Sequence, residues 1–455
     1  MPSIAPISDV LARHGARPTP RYTSYPTAPH FAPGFDDEQA RSWLSDLDPA
    51  EPISLYLHVP YCHEMCWYCG CNMRLARDQE QVSRYVESLI EEIGLLADAV
   101  PGRLPVAHLH WGGGTPTSMT PADLQDVMCL VRERFVLQDD AELAIECDPR
   151  TLAHDMIEMI GRQGFTRASF GVQEFDAEVQ AAINRIQPPE LVAGQVGALR
   201  AAGVQAINFD LIYGLPLQTT AKLLDTIALC HAMKPNRFSL FGYAHVPWKA
   251  ARQKLIASEN LPSLEERAEQ AAAASACLDE LGYEAIGLDH FARSDDSLAV
   301  AARTGRLHRN FQGYTTDDAD TLLAVGTSAI GRTPSGYYQN SPGVRDWRAA
   351  IDEGALPVSR SYAFREDDAL RGEVIERIMC DGRVDLDSIG DRYGAATGWA
   401  ADSLASLDPL VRDGVVHVDG AALRLAPWAH PLARVVASAF DRYLDSSPGR
   451  HSVSV

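Results

Sequence analysis

Several features that define large classes of proteins are missing from this sequence of 455 residues. It contains no run of 18 apolar residues, so we expect no membrane-spanning segment. The N-terminus lacks the basic-then-apolar pattern of a secretory signal, which favours a cytoplasmic protein. Basic residues are scarce: 40 lysines and arginines against 61 aspartates and glutamates give a net charge of −21, which argues against nucleic acid as a partner.

A second set of metal ligands is also missing. Cys62, Cys66 and Cys69 form a C-x3-C-x2-C motif, Cys71 follows after one residue, and no further cysteine pair or H-x3-H motif comes later. Structural zinc prefers two separated ligand pairs, ferredoxin clusters use other spacings, and disulfides are not expected without a secretory signal. Three thiolates at this spacing can instead hold three corners of an iron–sulfur cluster and leave one iron without a protein ligand, which favours chemistry at the metal.

Strand-like and helix-like segments alternate after residue 50. The predicted strands are 53–59, 106–111, 142–147, 167–172, 206–213 and 237–243, and the predicted helices are 82–97, 122–135, 152–163, 190–202, 221–233 and 264–281. Six strand-then-helix units imply parallel strands joined by right-handed crossovers. The predicted fold is therefore α/β, an open partial (β/α)6 TIM-like barrel, and its open side suits a large substrate.

The rhythm changes near residue 345, where we place a domain boundary. The predicted domains are an N-terminal arm (1–50), a catalytic domain (51–345) and a C-terminal domain (346–455). In the last of these, helices over 367–380, 386–393 and 397–407 precede a hairpin of 414–418 and 421–425. This order indicates a mainly helical, winged-helix-like domain. Aspartate is as frequent as arginine there, so a packing role is favoured over DNA binding.

Polar residues follow the predicted strands at the edge where a barrel of this kind holds its active site. Gly112-Gly113-Gly114-Thr115 comes directly after the second strand, and consecutive glycines let backbone N–H groups approach a carboxylate or phosphate. A tight turn is the alternative interpretation of this loop. Glu146 ends the third strand. There it would bind an amino group or ribose hydroxyls, or else interact with a helix dipole. Gln173, Asp210 and Ala244 stand at or near the ends of the next three strands.

Taken together, the cysteine motif at the end of the first strand and the Gly112–Thr115 loop resemble the radical S-adenosylmethionine (SAM) superfamily. Longer blocks resemble one of its families, the oxygen-independent coproporphyrinogen III oxidases, also called dehydrogenases. The blocks begin at Pro20, Cys69, Asp210, His290 and Arg309, and read PRYTSYPT, CGCN, DLIYGLP, HFAR and RNFQGYTT. These blocks run from the N-terminal arm to the region just before the C-terminal domain. The C-terminal domain itself resembles the family only loosely.

The resemblance implies a role for individual residues. Cys62, Cys66 and Cys69 would bind a [4Fe–4S] cluster. The family uses two SAM molecules: the first would contact Tyr56, Gly113, Glu146 and Ile330, and the second Tyr68, Gly114, Thr115, Gln173, Arg185, Asp210 and Ala244. Cys71 belongs to the family pattern without being a cluster ligand, and Gln312 matches a position important for activity. Tyr68 replaces the more common phenylalanine and keeps an aromatic face, while Ser294-Asp295-Asp296-Ser297 departs from Pro-Asp-Asp-Glu.

The implied reaction is the oxidative decarboxylation of two propionates of coproporphyrinogen III to vinyl groups, giving protoporphyrinogen IX in haem biosynthesis. A radical derived from SAM would remove a hydrogen atom from each propionate side chain. Flavodoxin or ferredoxin would supply the electrons. The resemblance also implies that the enzyme is a monomer. The propionates require arginines, for which Arg21, Arg293 and Arg309 are candidates, although each also suits a surface ion pair.

Three other functions stay open on the sequence alone. A haem chaperone of the same superfamily would keep the three cysteines, but it typically lacks Cys71 and the 309–316 block. A radical methyltransferase is the second alternative. A non-catalytic iron–sulfur or zinc scaffold would need the cysteines and none of the polar residues at the strand ends.

Overall fold

The computed structural model describes residues 7–444, which form two compact units. The first, here called the sheet unit, comprises Ala32–Tyr283 and Ala319–Ser361. The second, the helical unit, comprises Met1–Phe31, Glu284–Asp318 and Tyr362–Val455, of which 1–6 and 445–455 lie outside the described residues. The division at residues 50 and 345 stays a prediction, because each of these two units combines separate stretches of the chain.

The sheet unit is built on six parallel strands: β1 (Ile53–Val59), β2 (Pro105–Gly113), β3 (Val136–Cys147), β4 (Arg167–Gln173), β5 (Ala206–Tyr213) and β6 (Arg237–Gly242). They lie side by side in chain order and every neighbouring pair is parallel. The helices between and after them are α1 (Gln79–Ala99), α2 (Pro121–Arg134), α3 (His154–Arg162), α4 (Ala177–Ala182), α5 (Pro189–Ala201), α6 (Thr220–Ala232) and α7 (Leu264–Glu280). The α/β prediction is confirmed, and the strand order is consistent with a partial barrel.

Apolar side chains on successive strands stack in register to form the core of the sheet. Phe170 on β4 stands beside Phe209 on β5, which stands beside Phe238 on β6. The ring centroids are 6.1 and 6.2 Å apart in edge-to-face arrangements, and none of the three side chains is exposed. Each buried phenylalanine contributes about 1.5–3 kcal/mol, so this row fixes the order of the last three strands.

Within the sheet unit, the predicted segments agree with the observed ones to within about three residues, apart from one strand that begins earlier and some elements that were not predicted. Strand β3 begins at Val136 rather than at 142, because its polar first half already pairs with β2. A further parallel strand, β7 (Thr321–Val325), lies beside β1 and was not predicted. The sheet continues from β7 through β8 (Ile330–Thr333), β9 (Gly336–Asn340) and β10 (Val358–Ala363), with helix α8 (Val344–Asp352) between the last two.

Helix α1 ties the end of β1 to the turn after β7. The Tyr85 hydroxyl donates to the carbonyl of His58 at 2.7 Å and accepts from the Thr327 amide at 3.0 Å. Two turns further along α1, buried Glu92 accepts hydrogen bonds from the Gly326 amide at 2.7 Å and from the Trp347 indole at 2.9 Å. Burial nevertheless raises the pKa of Glu92 to about 7. The two α1 side chains thus hold β1 and β7 in fixed register where the cysteine loop begins.

The helical unit contains short elements. Its helices are Ile7–Gly15, Ser297–Thr304, Asp368–Asp381, Leu386–Arg392, Ala401–Ser406, Asp408–Arg412 and Ala433–Ala437, and its strands are His290–Arg293, His308–Asn310, Gly313–Thr315, Arg383–Asp385, Val416–Asp419 and Ala422–Leu425. The last three form a small antiparallel sheet, which includes the predicted hairpin. The helix predicted from 397 begins only at Ala401, because Gly398 adopts a left-handed backbone with φ of 78°.

Across residues 7–444, we find no helix whose length and apolar character would let it cross a membrane.

The ion pair between β3 and β4 makes a prediction about acid stability. The Arg167 guanidinium donates to Glu142 at 3.0 Å. Burial alone would raise the pKa of Glu142, but the charges of Arg167 and Arg237 lower it to about 2. The carboxylate therefore stabilises the fold above its unfolded pKa of 4.5, and this contribution is lost as the pH falls from 4.5 towards 2.

We expect Glu142→Gln to lower the free energy of unfolding at pH 7 by about 2–3 kcal/mol. The difference from the native chain should shrink when both are unfolded in urea at pH 3. An equal loss at both pH values would contradict the assignment and point to a packing defect instead.

Candidate active site

The cysteine loop leaves the sheet where β1 ends. Cys62 and Cys66 are buried, Cys69 is half-buried and Cys71 is exposed. Two backbone hydrogen bonds pin the loop to the returning chain, from Arg74 to the Pro60 carbonyl at 2.7 Å and from Ala76 to the Cys62 carbonyl at 2.9 Å. The three predicted cluster ligands therefore lie on one short segment, which backbone hydrogen bonds hold in place.

The glycine loop at the end of β2 passes directly beside this segment. The Gly114 amide donates to the carbonyl of Val59 at 2.8 Å, and a Cβ on Gly114 would stand 2.5 Å from the carbonyl oxygen of Pro60. Gly113 has a φ of 120°, a conformation that side chains rarely adopt. The glycines are thus required by close approach of two backbones as well as by the turn.

Side chains at the ends of β1, β2 and β3 form a connected polar group. The Tyr56 hydroxyl lies 3.0 Å from His58 Nδ1, and the Tyr56 ring stacks on His110 with centroids 5.9 Å apart. His110 Nε2 lies 3.3 Å from Glu146 Oε1, while Glu146 Oε2 accepts the Gly113 amide at 3.2 Å. The structure brings together Tyr56, Gly113 and Glu146, three of the four residues predicted for the first SAM molecule.

The fourth of those residues, Ile330, opens strand β8 and is half-buried. It follows the turn at Gly326, where an added Cβ would stand 2.4 Å from the His58 carbonyl oxygen. The turn before Ile330 therefore packs against the same end of β1 that carries the cysteine loop.

Cys66 lies among buried charges. Arg150 Nη2 and Arg185 Nη1 donate to its sulfur at 3.2 and 3.3 Å, and both guanidinium groups also pair with Asp148. Burial would raise the pKa of Asp148, but the Arg185 charge and the hydrogen bonds from Arg150 lower it to about 2. Arg185, predicted to contact the second SAM molecule, is thus held against a cysteine sulfur.

The other residues predicted for the second SAM molecule lie around the same strand ends. The Thr115 hydroxyl is 3.3 Å from Cys62 Sγ, and Gln253 donates to the carbonyls of both Tyr68 and Ala244, at 2.7 and 3.1 Å. Asp210 accepts from Ser169 at 3.1 Å and from Asn208 at 2.8 Å, and its pKa is raised by burial.

Gln173 ends β4 with a φ of 68°, and its buried Oε1 has no hydrogen-bond partner among residues 7–444. A non-glycine residue in this region is strained, and an unsatisfied buried acceptor is costly, so both point to a site that binds a ligand.

Three thiols on one short loop suit an iron–sulfur cluster, whose thiolates bind separate iron atoms. Within residues 7–444, no three His, Cys, Asp or Glu side chains come close enough together to share one ion. The Cys71 amide donates to Cys69 Sγ at 3.4 Å, so Cys71 supports a neighbouring thiol through its backbone.

The helical unit carries Gln312 and all three candidate arginines. Arg309 stacks over Tyr314 with its Cζ 4.4 Å from the ring centroid, and its Nε donates to the Arg21 carbonyl at 3.4 Å. Gln312 lies in the turn that joins the Arg309 and Tyr314 strands and is half-buried. Arg293 pairs instead with Asp295 at 3.1 Å and is exposed.

A half-buried carboxylate, Asp289, accompanies these arginines. Burial would raise its pKa, but a hydrogen bond from His290 and the nearby charges of Arg309 and Arg21 lower it to about 2.

Sequence reasoning missed the residues that support the cysteine loop. His58, His110, Asp148, Arg150 and Gln253 all contact predicted site residues, and none was assigned a role. His58, His110 and Arg150 could have been found because they stand, like Glu146, at or just beyond strand ends. Gln253 lies in the helical turn Ala251–Leu255, which carries no recognisable motif.

Comparison with known proteins places these observations in a class. A family model described as the radical SAM superfamily matches residues 56–230. The solved structure of coproporphyrinogen III oxidase from Escherichia coli, described as a radical SAM enzyme, superposes with a TM-score of 0.90 at 39% identity, covering 93% of this chain and 98% of that one. The parallel strands, the three-cysteine loop and the glycine loop are thus those of a radical SAM enzyme.

Curated relatives define the family more narrowly. The chain is 47% identical over 448 residues to the oxygen-independent coproporphyrinogen III oxidase of Bradyrhizobium diazoefficiens, covering 98% of this chain and 100% of that protein. It is 40% identical to the protein of the same name from Escherichia coli K12, with 93% of each covered. The chain belongs to the family of oxygen-independent coproporphyrinogen III oxidases.

The contact between the glycine loop and Pro60 can be tested by substitution. In Gly114→Ala the new Cβ would collide with backbone, so the cysteine loop must move, and we expect the iron content after reconstitution to fall at least several-fold. Gly194→Ala is a matched control, because Gly194 lies in helix α5 with no atom within 4 Å of the added Cβ. Full iron content in Gly114→Ala would contradict the required approach.

Proposed function

We propose that this protein catalyses the oxygen-independent oxidative decarboxylation of two propionates of coproporphyrinogen III to vinyl groups, giving protoporphyrinogen IX. The observation that carries the proposal is the three-cysteine loop packed on the Gly112–Gly114 loop, in a chain that matches the curated oxidases over nearly its whole length. The protein therefore acts in haem biosynthesis.

Cys62, Cys66 and Cys69 bind the [4Fe–4S] cluster in this proposal. When bound, the cluster and SAM together supply a 5′-deoxyadenosyl radical, which is able to remove hydrogen from an unactivated carbon. The protein positions these groups and excludes water: buried Thr115 contacts Cys62, and Arg150 and Arg185 contact Cys66. Cys71 orients Cys69 through its amide and is not a ligand.

Two SAM molecules bind at the strand ends. The first contacts Tyr56, Gly113, Glu146 and Ile330, and the Glu146 carboxylate suits its amino group. The second contacts Tyr68, Gly114, Thr115, Gln173, Arg185, Asp210 and Ala244. Support for the second comes from Gln173, whose buried oxygen lacks a partner, and from Asp210, which carries a half-buried carboxylate suited to ribose hydroxyls.

Arg309 and Arg21 bind propionate carboxylates, and Gln312 acts at the substrate. The Arg309 side chain is only 4% exposed, and its Nη1 lies 4.0 Å from Asp289 Oδ1 without a hydrogen bond to any of residues 7–444, so it can donate to a carboxylate. Arg293 is the weaker candidate, because it is already paired with Asp295 at the surface.

The remaining features follow from the same proposal. A flavodoxin or ferredoxin supplies electrons to a monomeric enzyme in the cytoplasm, where the nine free cysteines remain reduced. Residues 51–345 form the catalytic domain as an open (β/α)6 barrel, preceded by the arm of 1–50. Residues 346–455 form a winged-helix-like domain that packs and does not bind nucleic acid, in keeping with the net charge of −21.

One assay tests the activity directly. The enzyme is reconstituted anaerobically with iron and sulfide, given SAM, a reductant and coproporphyrinogen III, and analysed for protoporphyrinogen and 5′-deoxyadenosine. We expect both products. Deoxyadenosine without the decarboxylated product would favour a related radical SAM activity such as a methyltransferase, and stoichiometric haem binding without either product would favour a haem chaperone.

The cluster ligands are tested by serine substitution. Cys66→Ser should lose the [4Fe–4S] absorbance and produce no deoxyadenosine, because one of three thiolates is removed. Cys129→Ser is the matched control, since Cys129 lies exposed on helix α2, and it should keep both. A full cluster in Cys66→Ser would refute the ligand assignment.

The substrate arginine is tested by separating KM from kcat. Arg309→Gln should raise the KM for coproporphyrinogen III about tenfold or more through loss of a charged hydrogen bond. Arg309→Lys should recover part of this, because the charge returns without the planar donor pair. Arg303→Gln removes an exposed arginine paired with Glu284 and should leave KM unchanged. An unchanged KM in Arg309→Gln would exclude the assignment.

A further inference from the structure

The turn after strand β3 presents one arginine to the cysteine loop and holds it rigidly. The Asp148 side chain accepts the Arg150 amide at 3.0 Å, which folds the turn back on itself. Gln195 on helix α5 donates to the carbonyls of Pro149 and Leu152 at 2.7 and 2.9 Å. The backbone around Arg150 is therefore held by Asp148 and by Gln195, independently of any contact that the Arg150 side chain makes.

The Arg150 side chain is directed at a sulfur atom. Its Nη2 lies 3.2 Å from Cys66 Sγ and 2.6 Å from Asp148 Oδ2, and the side chain is only 5% exposed. The third contact, to Glu64 at 2.7 Å, involves a carboxylate that is 58% exposed and therefore screened by water. Burial at the sulfur end distinguishes this arginine from a surface ion pair.

The three cysteines do not share this environment. Cys62 Sγ lies beside the Thr115 hydroxyl and Cys69 Sγ accepts the Cys71 amide, while the Arg252 guanidinium contacts Cys69 at its carbonyl, at 2.7 Å. Cys66 Sγ accepts from the guanidinium groups of Arg150 and Arg185, and Asp148 neutralises part of their charge. Among residues 7–444, guanidinium groups thus donate hydrogen bonds to the sulfur of Cys66 and not to those of Cys62 and Cys69.

We propose that Arg150 is a positioning residue that holds Cys66 and raises the reduction potential of the cluster, with Asp148 acting in the opposite direction. This inference rests on the proposed function, in which Cys66 is a cluster ligand. Reduction adds one negative charge, which N–H donors to a ligand sulfur and a nearby cation stabilise, whereas a nearby carboxylate opposes it. A cluster that must be reduced by a protein donor before SAM is cleaved depends on this balance.

The test is an anaerobic redox titration of the reconstituted holoenzyme, followed by electron paramagnetic resonance of the reduced cluster. Arg150→Gln should lower the midpoint potential by about 59 mV, which is a tenfold change in the reduction equilibrium of a one-electron couple. Asp148→Asn should raise it by a similar amount, because the two guanidinium charges then go unopposed. Arg150→Lys should lie between the native enzyme and Arg150→Gln.

Glu64→Gln is the matched control, since it removes a carboxylate from the same guanidinium on its solvent side, and its midpoint potential should stay at the native value. Opposite shifts in Arg150→Gln and Asp148→Asn support the inference, because a purely structural role would not depend on the sign of the charge removed. Equal midpoint potentials in all variants with full iron content, or shifts in the same direction, would overturn it.

Failure of this inference can be told apart from failure of the proposed function. If Arg150→Gln does not assemble a cluster, Arg150→Lys and Asp148→Asn decide, since each keeps hydrogen-bonding groups of similar size at the turn. If the native enzyme holds a cluster but Cys66→Ser does too, the ligand assignment fails and the inference is overturned with it. A native enzyme that cleaves SAM without decarboxylating coproporphyrinogen III contradicts the proposed function alone, and the potentials still decide the role of Arg150.

Discussion

Two strand ends in this protein approach each other more closely than side chains would allow. The amide of Gly114 donates to the Val59 carbonyl, and a β-carbon on Gly114 would collide with the Pro60 carbonyl. The cysteine loop starts at Pro60, so its position depends on the absence of side chains on the neighbouring strand. The polar group of Tyr56, His110 and Glu146 is ordered by these two strands together with β3, because one member stands on each of the three neighbouring strands.

Charge is distributed unevenly around this framework. The chain as a whole is strongly acidic, yet the cysteine loop is met by Arg150 and Arg185, which share Asp148 as a buried counter-ion. Burying such a trio costs desolvation energy that a surface pair avoids, so it is weak evidence for stabilisation of the fold. We therefore relate the trio to its contacts with Cys66. In the helical unit, the half-buried Asp289 likewise lies near the charges of two arginines, Arg309 and Arg21.

The sequence alone predicted the parts of the structure that depend on local pattern. The six parallel strands follow from short apolar segments, and the cysteines, glycines and Glu146 could be assigned because each stands at the end of one. Strand β7 was missed because residues 284–318 belong to the helical unit, so no strand–helix rhythm leads into Thr321–Val325. The contact between Arg150 and Cys66 was missed because it joins two loops that follow different strands, and no periodicity reports such a contact.

The position of β7 has a consequence for how the protein is made. Strand β1 pairs on one side with β2, which follows soon after it, and on the other side with β7, which the ribosome delivers much later. Until Val325 has emerged, the edge of β1 beside the cysteine loop is an unpaired strand edge, the kind of surface that invites aggregation. The nascent chain therefore passes through a stage in which the cysteine loop lies next to an unpaired strand edge.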